Sequence, residues 1–150
     1  MEPAGEPYIH PTMSTQESAP SFTRHLPTIA RILLGLVFFA SGVAGFFVKP
    51  PPEIPEFAAA MMKTGYMFQF IKIVEIVCGL LLLLNRFVPL ALAILAPVVI
   101  NIFAFHLFLD PKTIAFAIVL SALEIYLAWV YRDSFRPMLA ARVPPTTVQN

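Results

Sequence analysis

Four apolar segments of similar length run through this chain, and they constrain its fold more than any other feature. They occupy residues 28–48, 66–84, 87–109 and 113–131, with short polar stretches between them. Each is close to the roughly 20 residues that a helix needs to cross a hydrocarbon core about 30 Å thick. The pattern therefore predicts four membrane-spanning helices.

A soluble helical bundle with an apolar core is the alternative. Helices in such bundles carry a polar stripe that recurs about every 3.6 residues, but residues 80–84 and 90–100 carry none. The composition also favours the membrane, because 58% of the residues are hydrophobic and only 13% are charged, against about a quarter in soluble domains. The first segment is too long, and begins too far from residue 1, for a signal peptide. We therefore predict an all-α polytopic membrane protein whose four spans form an up-down bundle.

The ends and loops of the chain divide it into three parts. Residues 1–27 are rich in Pro, Ser, Thr and Glu and are predicted to be disordered, because this composition buries too little apolar surface to fold. Residues 28–136 form the transmembrane domain, and residues 137–150 form a flexible tail. Between the first two spans, KPPPEIP ends one helix and EFAAAMMKTG begins a short one, with Pro55 at its start and Gly65 at its end. We expect this short helix to lie in the outer membrane interface.

The basic residues indicate an orientation. If the spans alternate, one side receives six arginines: Arg24, Arg31, Arg86, Arg132, Arg136 and Arg142. The other side receives three lysines: Lys49, Lys63 and Lys112. The positive-inside tendency then predicts a multi-pass protein of the cell membrane with both termini in the cytoplasm. The net charge is only +1 and no basic tract or Gly-rich phosphate loop is present, so no nucleic-acid partner is expected.

Four polar residues inside the second and third spans are the main candidate site: Lys72, Glu75, Asn101 and His106. A charged residue at the centre of a membrane helix costs roughly 2.5 to 3.5 kcal/mol on insertion scales, and such residues are usually functional. Lys72 and Glu75 are three positions apart, so they share a helix face and can neutralise one another. Asn101 and His106 lie about 140° apart around an ideal helix, so both can face one centre only if Pro97 bends the backbone.

Two interpretations of this cluster stay open. In the first, Lys72 and Glu75 form an ion pair that, together with Asn101, simply locks the helices to one another. In the second, the four side chains line a polar cavity or proton path that is reached from the outer face.

Secondary candidates lie in the first and fourth spans. Arg31 enters from the cytoplasmic end of the first span, and Glu124 falls near the middle of the fourth. Arg31 is expected either to extend to lipid phosphate groups or to reach toward Glu124. Small residues that permit close helix packing form a further set: Gly35, Ser41, Gly42, Gly45 and Gly79.

Several chemistries are excluded by residue counts. Cys78 is the single cysteine, so the chain alone supports neither dithiol exchange nor an iron-sulfur cluster. His10 and His25 lie in or near the N-terminal segment, and His106 alone makes neither a bis-histidine haem site nor a zinc site. No Ser-His-Asp or GxSxG arrangement is present. We expect no metal site, and the chain alone is predicted to be a poor enzyme.

Four stretches of the sequence together resemble the DoxX family of membrane proteins. They are ARILLGLVFFASG at 30–42, KTGY at 63–66, VEIVCGLLLLLNRFVPLAL at 74–92 and NIFAFH at 101–106. The resemblance extends over about residues 28–136. The family pattern falls on Arg31, Phe38, Ser41, Gly42, Glu75, Gly79 and His106.

The resemblance implies a four-helix membrane protein, and the family's members are often of unassigned role. The archaeal namesake of the family belongs to a thiosulfate:quinone oxidoreductase, and other members associate with redox or detoxification partners. By this resemblance the chain is an accessory or small-ligand-binding subunit of a membrane redox system, and quinone is the one cofactor suggested. Its partner would be another membrane or membrane-associated protein, or a second copy of the chain.

One departure and two alternatives accompany this implication. Many relatives carry a Lys shortly after the S-G of the first helix, where this chain has Ala44 and Gly45. A role that needs this cation requires Lys49 or Lys72 to supply it. The alternative function is a non-catalytic membrane scaffold or assembly factor whose polar core is structural. A small transporter is disfavoured, because four spans rarely enclose a pathway without oligomerising.

Overall fold

The structure, a computed structural model, describes residues 21–48 and 54–140, and all the regular elements in these two ranges are helical. The four long helices are α1 (Ser21–Phe47), α3 (Met67–Leu83), α4 (Val88–Phe108) and α5 (Ile114–Val130). Two short helices are α2 (Glu56–Lys63) and α6 (Arg132–Phe135). A 3₁₀ turn, Pro111–Thr113, joins α4 to α5. The predicted all-α class is confirmed for these residues.

The N-terminal boundary differs from the prediction. Helix α1 begins at Ser21 and runs through Pro27, so residues 21–27 are helical rather than disordered. The prediction assigned residues 1–27 to a disordered segment because their composition buries too little apolar surface to fold. In the structure Pro27, which lacks a backbone N–H, costs the helix one hydrogen bond, and the helix continues through it. Residues 1–20, 49–53 and 141–150 lie outside the described part of the chain, so the disorder expected at both ends stays a prediction there.

Three helical segments are long and apolar enough to cross a membrane: His25–Phe47, Val88–Phe108 and Pro111–Val130. Helix α3 has 17 residues and reaches this length only together with α2, from which it is bent by 95°. The bend lies at Gly65, whose φ of +80° is open to glycine and strained for other residues. The protein is thus an all-helical membrane protein with three to four candidate spans.

The long helices pack in a closed cycle around one apolar core. Helix α1 contacts α3 and α5, and α4 contacts both α3 and α5. The most deeply buried large side chains are Leu34, Phe38, Leu82, Leu92, Leu95 and Leu127. Large apolar side chains also cover the outside, among them Phe70, Ile100, Phe116, Ile125 and Trp129, each at least half exposed. An apolar outer surface of this extent is suited to contact with lipid.

Candidate functional site

Glycines bring the backbones of α1 and α3 into direct contact. A Cβ atom added to Gly79 would lie 2.6 Å from the backbone N of Phe39. One added to Gly42 would lie 2.9 Å from the backbone O of Lys72, and one added to Gly35 would lie 3.1 Å from the backbone O of Gly79. Real Cβ atoms essentially never come within 3.0 Å of another atom, so the interface depends on glycine at positions 79 and 42, and at position 35 a side chain would be tightly crowded. We call these contacts the glycine seam.

A further glycine of α1, Gly45, helps to position Lys72. A Cβ on Gly45 would fall 2.5 Å from Lys72 Cδ, so the methylene stem of the lysine passes directly over this glycine. At the end of the stem, Lys72 Nζ donates to Glu75 Oε2 at 2.8 Å and to Ser41 Oγ at 3.2 Å. It also lies 5.6 Å from the centroid of the Phe68 ring, within range of a cation–π contact.

The ion pair between Lys72 and Glu75 is largely removed from solvent. The lysine side chain is 15% exposed and the glutamate side chain is 4% exposed. The contact expected from their spacing on one helix face is therefore present. Glu75 is the more deeply enclosed partner, so its carboxylate depends on the lysine more than the lysine depends on it.

A cavity of about 390 Å³ lies between α2, α3 and α4, and all four candidate residues line it. We call it the polar cavity. Lys72 and Glu75 reach it from α3, and Asn101 and His106 reach it from α4. The other lining side chains are mostly aromatic or aliphatic, and include Phe57, Met61, Phe68, Ile71, Ile102 and Phe105. The arrangement combines a few polar groups with an apolar enclosure, which is the usual make-up of a small-molecule site.

Asn101 and His106 line the same cavity despite their separation around α4. Pro97 lies inside α4 and also lines the cavity. The side chain of Asn101 forms no hydrogen bond to any residue in 21–48 or 54–140. Its amide is therefore available to a molecule in the cavity. Phe57 lines the cavity from α2, with its ring centroid 6.2 Å from that of Phe105.

His106 is oriented by two residues that follow α4. Its Nδ1 lies 2.8 Å from Thr113 Oγ1, which in turn lies 2.5 Å from Asp110 Oδ2. An ionised carboxylate can only accept, so the single hydroxyl hydrogen of Thr113 points to Asp110 and its oxygen accepts from His106 Nδ1–H. The neutral ring is then held as the Nδ1–H tautomer, with Nε2 as the free acceptor.

Asp110 and Thr113 were not predicted as part of the site. The available signal was the four-residue spacing of His106 and Asp110, which places an acid one helical turn beyond the histidine. The prediction missed this signal because the residues DPK at 110–112 were interpreted only as a turn between two helices.

Arg31 differs from both sequence-based expectations. Its side chain is buried, and Nη1 donates to the backbone O of Leu82 and to that of Leu83, the latter at 3.3 Å. A cation at the C-terminal end of α3 complements the helix dipole. The expectation rested on the depth and helix face of Arg31, which do not identify backbone carbonyl groups of a neighbouring helix as partners.

Glu124 lies apart from the polar cavity. It is 6% exposed, and its Oε2 has no hydrogen-bond partner within the described ranges. It lines a second cavity, between α4 and α5. Cys78 is a free, buried thiol, and no group of three or more His, Cys, Asp or Glu side chains in residues 21–48 and 54–140 is placed to hold a metal ion.

Comparison with known proteins gives a family. Searches of the curated proteins and of the solved structures gave no match. The family model DoxX matches residues 26–107, which is more than half of the 150 residues. The match extends from Leu26 in α1 to Leu107 near the end of α4, and so includes Arg31, the glycine seam and the four candidate residues that line the polar cavity. The chain therefore belongs to the DoxX family.

Proposed function

We propose that α1, α3, α4 and α5 each cross the cell membrane, that α2 lies in the outer interface, and that both termini are cytoplasmic. The mutual packing of the four long helices and their apolar outer surfaces support this bundle. At about 1.5 Å per residue, α3 is roughly 26 Å long, a few ångströms less than the hydrocarbon core. Such a mismatch costs only fractions of a kcal/mol per ångström. The excess of arginine on one side supports the orientation.

We further propose that the polar cavity binds a small molecule with an apolar, planar body and hydrogen-bonding oxygens, for which a quinone is the leading candidate. In this proposal the protein is an accessory subunit of a membrane redox system. The observation that carries it is the convergence of Lys72, Glu75, Asn101 and His106, from two helices, on one cavity with aromatic walls. Its volume of about 390 Å³ lies in the range of small-molecule pockets.

The free hydrogen-bonding groups of the cavity suit both redox forms of a quinone. Lys72 has three N–H donors and spends two of them on Glu75 and Ser41, so one remains for a carbonyl oxygen. The amide of Asn101 can donate as well. His106 Nε2 can accept from the hydroxyl that a reduced ring carries. The chain's own residues thus hold and orient the ring, while a bound quinone would exchange electrons with a partner subunit.

The departure from the family pattern after the S-G motif has a compensation in this proposal. Gly45 leaves room for the stem of Lys72, whose Nζ comes within 3.2 Å of Ser41 Oγ. A cation is thereby supplied beside the motif from α3 instead of from α1. Lys49, the other candidate, lies outside the described residues.

Purification from native membranes, followed by extraction of bound quinone and identification of co-purifying proteins, tests the proposal. We expect the wild-type protein to retain quinone, and Asn101→Leu and His106→Phe to retain several-fold less at equal abundance. Glu124→Leu is the matched control, since it changes a polar residue outside the cavity and should leave quinone content unchanged. Equal quinone in all four proteins, with the same partners, would instead support the scaffold or assembly-factor alternative.

A further inference from the structure

The second cavity, which we call the α4–α5 groove, is larger and more apolar than the polar cavity. It has a volume of about 530 Å³. Its walls are aliphatic and aromatic side chains, and Ser121 and Glu124 are its polar members. Three alanines, Ala93, Ala96 and Ala128, leave the space between the two helices open. Glu124 lies outside the matched residues 26–107, so the family assignment says nothing about it.

Glu124 places an unsatisfied polar atom in this groove. The residue is 94% buried, and no side chain or backbone group of the described ranges donates to its Oε2. Two basic side chains inside the bundle, Arg31 and Lys72, bond to other groups: Arg31 donates to the end of α3 and Lys72 donates to Glu75. A buried carboxyl group without a hydrogen bond is costly, and natural proteins nearly always satisfy such groups. A molecule in the groove can satisfy it.

The depth and lining of the groove define the chemistry of that molecule. Glu124 lies about 9 Å from the cytoplasmic end of α5 and about 15 Å from its other end at 1.5 Å per residue, too deep for the charged head group of a phospholipid. A single hydroxyl is small and neutral, and it both donates and accepts, so it satisfies a carboxyl group in either protonation state. The apolar walls suit one hydrocarbon chain.

We propose that the α4–α5 groove is a binding site for a single-chain aliphatic alcohol, whose hydroxyl bonds to Glu124. This site is separate from the polar cavity and does not depend on the function proposed for it. Ser121, three residues before Glu124 on α5, adds a hydroxyl group to the lining.

Photo-crosslinking of the purified full-length protein with a diazirine-bearing hexadecanol tests the site. Labelling should map to peptides of α4 and α5 that line the groove. Unlabelled 1-hexadecanol should compete at least tenfold better than hexadecane, because the alkane cannot bond to Glu124. A tenfold preference corresponds to about 1.4 kcal/mol, within the range of one buried hydrogen bond.

Three variants test separately the carboxyl group of Glu124, the open volume of the α4–α5 groove and the polar cavity. Glu124→Leu should fold, since an apolar side chain removes the unsatisfied group, and it should lose the preference for the alcohol. Ala96→Phe keeps the carboxyl group but fills the groove, and should lose the labelling itself. Asn101→Leu alters the polar cavity and should label as the wild type does.

Three results would overturn the proposal. One is an undiminished alcohol preference in Glu124→Leu. Another is labelling that maps to the polar cavity and disappears in Asn101→Leu. The third is crosslinking between two copies of the chain through α4 and α5, abolished by Ala96→Phe, which would make the groove a dimer interface.

Discussion

The ion pair of Lys72 and Glu75 makes an asymmetric prediction that a double-mutant cycle can test. Lys72→Leu removes the donor to the Glu75 carboxylate, and the glutamate side chain is only 4% exposed in the wild-type structure. Removing one partner of a buried ion pair costs roughly 3 to 5 kcal/mol. Glu75→Leu should cost less, because Lys72 keeps its contacts with Ser41 and the Phe68 ring and its side chain is 15% exposed.

The double variant, Lys72→Leu with Glu75→Leu, removes both charges together. Replacing a whole buried pair with apolar residues of similar size is often neutral or stabilising, so we expect a free energy of unfolding close to that of the wild type. From most to least stable, the order should then be the double variant, Glu75→Leu and Lys72→Leu. The coupling energy between the two positions should be at least about 3 kcal/mol.

Unfolding in mixed micelles with increasing SDS, followed by circular dichroism, measures the four free energies that the cycle needs. Ser41→Ala is a matched control, since it removes a minor contact of Lys72 and should cost no more than about 1 kcal/mol. If the effects of the two single substitutions sum to the effect of the double variant within about 0.5 kcal/mol, the two positions are independent. That result would refute the pairing. A double variant that folds normally but no longer retains quinone would show that the pair also serves the polar cavity.

Three further predictions follow from other contacts. Gly79→Ala should destabilise the protein by roughly 1 to 3 kcal/mol, because the new methyl group would meet the backbone of Phe39; an unchanged SDS midpoint would argue against the glycine seam. Thr113→Val should lower retained quinone several-fold with little change in stability, because the tautomer of His106 is no longer held, whereas Thr113→Ser should behave as the wild type. A cysteine introduced at Glu56, in a background without the native cysteine, should react with an impermeant maleimide in intact cells; reaction only after the membrane is permeabilised would reverse the proposed orientation.

The helices could be predicted from the sequence because the apolar segments have the length of a membrane span and end at polar turns. The boundaries of α3, α4 and α5 agree with the predicted segments to within one residue. Contacts within one helix could also be predicted from the sequence, as the pairing of Lys72 with Glu75 shows.

Contacts between elements were harder to predict, because rise along a helix gives the depth of a residue but not its neighbours. The partners of Arg31 are backbone carbonyl groups of α3, which no pattern of side chains in the sequence indicates. The groups that hold His106 were missed because they belong to a turn that becomes adjacent only after the chain reverses direction. The polar cavity itself depends on Asn101 and His106 facing one space, which an ideal helix does not allow.

The glycine seam has a mechanical consequence for how a molecule would enter the polar cavity. Because the backbones of α1 and α3 touch at Gly79 and Gly42, sliding one helix along the other would force a side chain against a backbone. The two helices therefore move as one stiff body, and any opening has to come from the opposite walls. Helix α2 is short and joins α3 through Gly65, whose left-handed backbone conformation makes it a natural hinge. A swing of α2 about that hinge would carry Phe57 away from Phe105 and open the cavity on the side of α2.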